Sequence, residues 1–199
     1  MSAPVYSGGL ELRDAGDGSR RLTGAFPYNS RAVIHSGGNG QRPRKEVFAP
    51  RAFSYAVEDP DRDIHLLSGH SFDKPIASKK ARTLILNDSD DALTFEAIIT
   101  QELQEASWWT DFLAAFMSGL IGGISPGFRV APRERVRVPE KTEDENPAEG
   151  NALIRTIFAA VLFELSLVTR PAYQGTSLDL RQLDSGLLIP AKPAAYRWR

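Results

Sequence analysis

The stretch from Gly119 to Val130, Gly-Leu-Ile-Gly-Gly-Ile-Ser-Pro-Gly-Phe-Arg-Val, sets the tightest limit on the fold. Glycines and a proline crowd around Ser125, between an apolar helix-like run and an alternating strand-like run. The backbone is therefore expected to bend there and present a hydroxyl. Gly123, Ser125 and Gly127 spell Gly-x-Ser-x-Gly, the pattern of the nucleophile elbow of a parallel α/β sheet. Three features exclude that elbow. Its histidine follows the serine in chain order, whereas His35, His65 and His70 all precede Ser125. Its oxyanion site uses the N–H of the residue after the serine, and Pro126 has none. A helix follows it, but here Phe128, Val130, Val136 and Val138 sit among Arg129, Arg133, Arg135 and Arg137 in a pattern closer to strand alternation. A nucleophilic Ser125 therefore belongs to another architecture.

A chain of 199 residues can bury one sizeable core. Its net charge of −1 provides no global field for nucleic acid or an anionic membrane. The absence of cysteine excludes disulfides, thiol catalysis and the usual zinc-ribbon chemistry. Met1 to Leu10 lacks the basic and apolar regions of a secretory signal. The longest apolar run, around Ile157 to Leu162, is too short to span a bilayer, so a soluble intracellular protein is expected.

Residues 1–9 read as a flexible N-terminus. Leu10 to Arg13 and Arg20 to Phe26 alternate around an Asp- and Gly-rich turn, and Arg82 to Leu86 and Ala92 to Thr100 flank an acidic one. Both pairs read as hairpins. Arg31 to Lys45 is polar and glycine-rich and reads as a flexible loop with a solvated His35. A short helix follows Pro50, and Ile64 to Leu67 is a short buried strand. Glu102 to Ser118 is one helix, with Leu103, Ala106, Trp109, Phe112, Leu113, Phe116 and Met117 at three- and four-residue steps and Gly119 as its stop. Pro139 to Gly150 reads as a solvated acidic loop, with no metal site expected. Thr176 to Leu183 reads as a short helix, and 186–199 as a tail.

Among the titratable groups, His65 lies inside its strand and reads as a packed histidine. His70 sits just past the strand end, between Gly69 and Ser71, where a side chain can face a site. Ala152 to Val168 is a long alternating apolar run in which Glu164 is the only carboxylate. Such a group either reaches water at a sheet edge or is buried for a reason, and a histidine partner would be one.

Three segments taken in order resemble a known family: Leu66-Leu-Ser-Gly-His70, then Gly119-Leu-Ile-Gly-Gly-Ile-Ser-Pro-Gly-Phe128, then Leu162-Phe-Glu-Leu-Ser-Leu-Val-Thr-Arg-Pro-Ala-Tyr-Gln-Gly-Thr176. Together with Phe48-Ala-Pro-Arg-Ala-Phe53 they are similar to the prohead serine proteases of tailed phages, over roughly residues 20–181. The resemblance implies kinship with the herpesvirus assembly proteases and hence a mainly β fold, a closed antiparallel barrel surrounded by a few helices. About seven strands in hairpins fit such a barrel. It implies a protease domain over 10–185, with His70 as general base, Ser125 as nucleophile and Glu164 as the residue that orients the histidine. Gly127 and Arg170 are the candidate oxyanion donors, since Pro126 departs from the family pattern. The implied substrates are the major capsid protein and scaffold segments inside a portal-containing procapsid, together with the enzyme itself. Neither cofactor nor metal, nucleic acid nor membrane is implied, and a homodimer is compatible. The competing readings are an inactive structural or scaffolding protein of the same fold, and an esterase.

Overall fold

The computed structural model describes residues 5–7, 9–171 and 173. The expected helix at 176–183 and the tail at 186–199 lie outside them. The described residues form thirteen strands and three helices, arranged as three sheets. In the first, the order is β1 (Val5–Ser7), β2 (Leu10–Asp14), β3 (Arg20–Pro27), β9 (Ala92–Ile99) and β8 (Leu84–Asp88). The second runs β10 (Gly123–Val130), β13 (Ala160–Val168), β6 (His65–Ser68), β7 (Ser71–Ser78), and the third β11 (Glu140–Asp144), β12 (Leu153–Ile157), β5 (Arg44–Phe48), β4 (Ala32–His35).

No sheet closes on itself, so the barrel expectation is corrected: six strands, β1, β8, β10, β7, β11 and β4, end their sheets. The reason lies in two non-local parallel pairings. β12 pairs with β5 and β13 pairs with β6, both in parallel. Hairpin signals in the sequence are local and cannot reveal pairings between strands some hundred residues apart. The single run read from Ala152 to Val168 is thereby cut at Phe158-Ala159, where the chain leaves one sheet for another. Bonds from Ala160 N to Ala52 O (2.7 Å) and Ala49 N to Ile157 O (2.9 Å) fix this crossing against the matching one between β5 and β6.

Both expected hairpins form, β2 with β3 and β8 with β9. The loop expected over 31–45 instead contributes β4 and the start of β5. The acidic loop contributes β11, followed by a buried Glu145. β5 opens with Arg44-Lys-Glu and β11 is Glu-Lys-Thr-Glu-Asp, so no apolar alternation marks them, and β4, Ala-Val-Ile-His, is a short run inside a polar, glycine-rich stretch. The stretch after Val130, read as strand-like, is a loop up to Pro139.

The expected long helix is two helices. α2 (Gln101–Gln104) is capped by Thr100 Oγ1, which accepts from the Leu103 N–H, and α3 covers Ser107–Met117. Between them Ala106 is extended, at φ −66° and ψ 132°. The break turns Trp109, Phe112 and Phe116 into the core as one stripe. α1 (Ser54–Val57) is the short helix after Pro50. The three sheets meet at an aromatic hub. Phe26 of β3 lies 5.5 Å, centroid to centroid, from Phe48 of β5, which lies 4.8 Å from Phe128 of β10 and 4.8 Å from Phe53.

Candidate active site

The site is assembled on the second sheet, across β10, β13 and the turn from β6 to β7. The antiparallel register sets Ser125 opposite Ser166 and Gly127 opposite Glu164. Side chains of directly opposed residues share a face, so Ser125, Glu164 and Ser166 stand together on one side. The other side carries Ile124, Leu165 and Leu167 into the core. Near Glu164 the ladder is irregular: Gly127 opposes Glu164 and Phe128 opposes Leu162, leaving Phe163 as an extra residue. This bulge lets Leu162 and Leu165 both face the core while Phe163 and Glu164 both turn outward.

His70 arrives from the neighbouring strand. Ser68 pairs with Ser71, and the two residues between them, Gly69 and His70, have φ of +62° and +61°. Two left-handed residues between paired strand ends make a tight hairpin turn of the primed kind. Glycine takes this conformation freely, and histidine is among the residues that tolerate it, at a cost of about 1–2 kcal/mol. The turn is held by β13: Gly69 N–H donates to Leu167 O at 3.1 Å, and His70 N–H donates to Ser166 Oγ at 3.0 Å. The ring then reaches Glu164, with Nδ1 and Oε1 2.8 Å apart. Opposite a carboxylate, Nδ1 carries the proton and donates, which leaves Nε2 as the free base. Glu164 is buried, with 7% of its side chain exposed, while 48% of the His70 side chain is open. The second carboxylate oxygen accepts from Ser166 Oγ at 2.6 Å.

The carboxylate also lies against Gly127. A Cβ built there would come within 2.2 Å of Glu164 Oε1, so only glycine leaves room. Gly127 has no positive φ, and its requirement is close approach rather than backbone conformation. The ladder explains Pro126 as well. Leu167 O accepts from the Gly69 N–H just past β6, so by strand alternation the main-chain groups of Glu164 and Ser166 face β10. Ser125 and Gly127 accordingly point their N–H groups into the ladder, and Pro126, opposite Leu165, lacks a donor only on the sheet's free edge.

The structure thus brings His70, Glu164 and Gly127 into contact and sets Ser125 on the same face, one strand over. Among the described residues Ser125 Oγ has no hydrogen bond. Arg170 is exposed just beyond the end of β13, with no hydrogen bond or ion pair to the other four among the described residues. His65 is not part of the cluster; its Nε2 lies 3.5 Å from Asp63 Oδ2, and its ring packs edge-on against Phe72. His35 is exposed, and its Nδ1 accepts from the Gly37 N–H. Sequence reasoning missed Ser166. Its spacing, two residues after Glu164 on the same strand, was the available signal.

A second polar network, also unforeseen, lies on β5 and β12. Tyr173 Oη donates to the buried Glu46, whose other oxygen accepts from Arg155 at 2.8 Å, and Arg155 also donates to Glu140 at 2.6 Å. Burial, then the bond to Glu46, pushes the Tyr173 hydroxyl far above its ordinary titration range.

The family model described as Caudovirus prohead serine protease matches residues 31–187 of the chain, a span that contains every residue of this cluster. No curated protein and no solved structure matches the chain. No helix among the described residues is long and apolar enough to cross a membrane.

Proposed function

The chain belongs to the caudovirus prohead serine protease family, and from that premise we propose that it is an endopeptidase using Ser125, His70 and Glu164. Its substrates are scaffold and major capsid protein segments within a portal-containing procapsid, and the enzyme itself. The domain carrying this activity spans 10–185. The observation that carries the reading is the 2.8 Å bond between His70 Nδ1 and the buried Glu164, on the face that presents Ser125.

In this scheme Ser125 Oγ attacks a peptide carbonyl carbon while His70 Nε2 takes its proton. As the C–N bond breaks, the imidazolium gives that proton to the leaving amine. Water, activated by the same nitrogen, then hydrolyses the acyl-enzyme. Glu164 holds the ring in the tautomer with Nε2 free and stabilises the imidazolium. Of the two candidate oxyanion donors, the Gly127 N–H is directed toward β13, whereas Arg170 is free to swing in, directly or through water.

The test is co-expression of the capsid protein with wild-type chain, Ser125→Ala or His70→Ala, followed by intact-mass analysis. We expect shortening with the wild type alone. Capsid protein trimmed equally by either variant removes the assignment and leaves a structural role.

A further inference from the structure

Two hydrogen bonds meet at Ser166 Oγ, and their directions are fixed by chemistry. The His70 main-chain N–H can only donate, so the hydroxyl accepts there, at 3.0 Å. Its single hydrogen is then free for Glu164 Oε2, at 2.6 Å. Glu164 Oε1 takes the His70 ring at 2.8 Å. The three bonds close a loop: His70 ring, both carboxylate oxygens, Ser166 hydroxyl, His70 main chain. Ser166 itself is fully buried, at 0% exposure, so no solvent hydroxyl takes its place without rearrangement.

We propose that Ser166 is a positioning residue for the base. Its hydroxyl ties the left-handed turn at His70 to the rotamer of Glu164, so that main chain and ring of the histidine are held by one unit. It also occupies Oε2 and thereby reserves Oε1 for the ring. An alanine at this position leaves Oε2 without a donor inside a nearly closed site and releases the His70 N–H. Both anchors of the imidazole loosen together. Because Ser166 stands directly opposite Ser125, the same residue aligns the histidine turn with the strand that carries the hydroxyl. The inference rests on the reading of His70 as the base.

The experiment compares Ser166→Ala and Ser166→Thr with wild type in the full chain. It has two readouts: kcat and KM on a peptide spanning a capsid-protein cleavage segment, and the low-field proton resonance of His70 Nδ1–H. Ser166→Ala is expected to lower kcat by about 10²-fold, the scale of a misplaced catalytic group, with KM little changed. It is also expected to broaden or lose the resonance. Ser166→Thr keeps the hydroxyl and is expected to keep both. A hydroxyl that merely stabilises the fold would lower the melting temperature and leave kcat and the resonance in place. Wild-type kcat or an undiminished resonance in Ser166→Ala, or equal losses in Ser166→Thr, overturns the proposal. If the alanine variant does not fold, Ser166→Cys, similar in shape and a weaker donor, takes its place with the same expectations. Absence of Ser125-dependent cleavage in the wild type would instead sink the protease reading, and the resonance would still decide the role of Ser166.

Discussion

At the scale of single residues, Gly127 is the position where geometry makes the sharpest demand. A methyl group there meets the Glu164 carboxylate at 2.2 Å and its carboxyl carbon at 2.7 Å. The neighbour that must yield is the end of a flexible side chain, so the backbone can stay and the carboxylate moves off His70. Gly127→Ala is therefore expected to cost about 1–3 kcal/mol in stability from crowding, and about 10²-fold or more in kcat from the displaced imidazole. Thermal melts with peptide-cleavage kinetics check this; wild-type turnover in a folded variant would show that the carboxylate has another place to sit. The sequence made part of this site legible. A lone carboxylate in an apolar run called for a partner, and a histidine just past a strand end was free to be one. Ser166 was not legible, because a serine in a strand is what polar alternation produces anyway. Pro126 lies on an edge strand, opposite Leu165, and its missing N–H faces away from β13.

At the scale of elements, α3 is held by its aromatic stripe. Trp109 is 1% exposed, and its ring lies 5.2 Å from that of Phe112 and 6.4 Å from that of Trp108. Trp109→Ala is expected to destabilise the protein by about 3–5 kcal/mol in urea titrations. Met117→Ala, at a position 61% exposed on the same helix, should stay within about 0.5 kcal/mol. Equal effects would mean that the stripe is not what holds the helix. Its three- and four-residue spacing was readable from the chain, but the interruption at Ala106 was not, since alanine is a good helix former and leaves no mark. Strands fared according to locality and burial. The hairpins at 10–27 and 84–99 announce themselves through turn residues. β4 is a four-residue run whose Val33 and Ile34 are exposed, and β11, with no buried residue, shows no apolar face to recognise.

Across the whole molecule, ion pairs tie the strands of the third sheet to one another and to the chain just after β11. The Glu145 side chain is 1% exposed; it accepts from Lys45 Nζ at 2.5 Å and from the Ala152 N–H at 3.0 Å, with Arg31 at 3.3 Å. Lys45 foremost, and then the Ala152 N–H, hold its carboxyl below the ordinary value of 4.5. A depressed folded-state value means that this stabilisation is complete above the unfolded value and fades as pH falls through the lower folded one. Glu145→Gln should therefore melt below wild type at neutral pH, and the gap should narrow as pH falls below about 4.5. Melting temperatures across a pH series measure it; a gap constant with pH would assign the loss to packing instead. The three-sheet arrangement itself was beyond the sequence, because the two parallel pairings that create it join segments with nothing local in common.

The strand that carries Ser125 is one edge of its sheet and Glu164 lies on the inner β13, while the His70 turn joins the inner β6 to β7, the opposite edge. Fraying begins at edges, where one side of a strand has no ladder to break. Opening at the β10 edge alone would carry Ser125 away from a His70–Glu164 pair still tied to β13. On the proposed mechanism, competence for catalysis is then expected to be lost at such an opening while the amides of the inner strands remain protected from exchange.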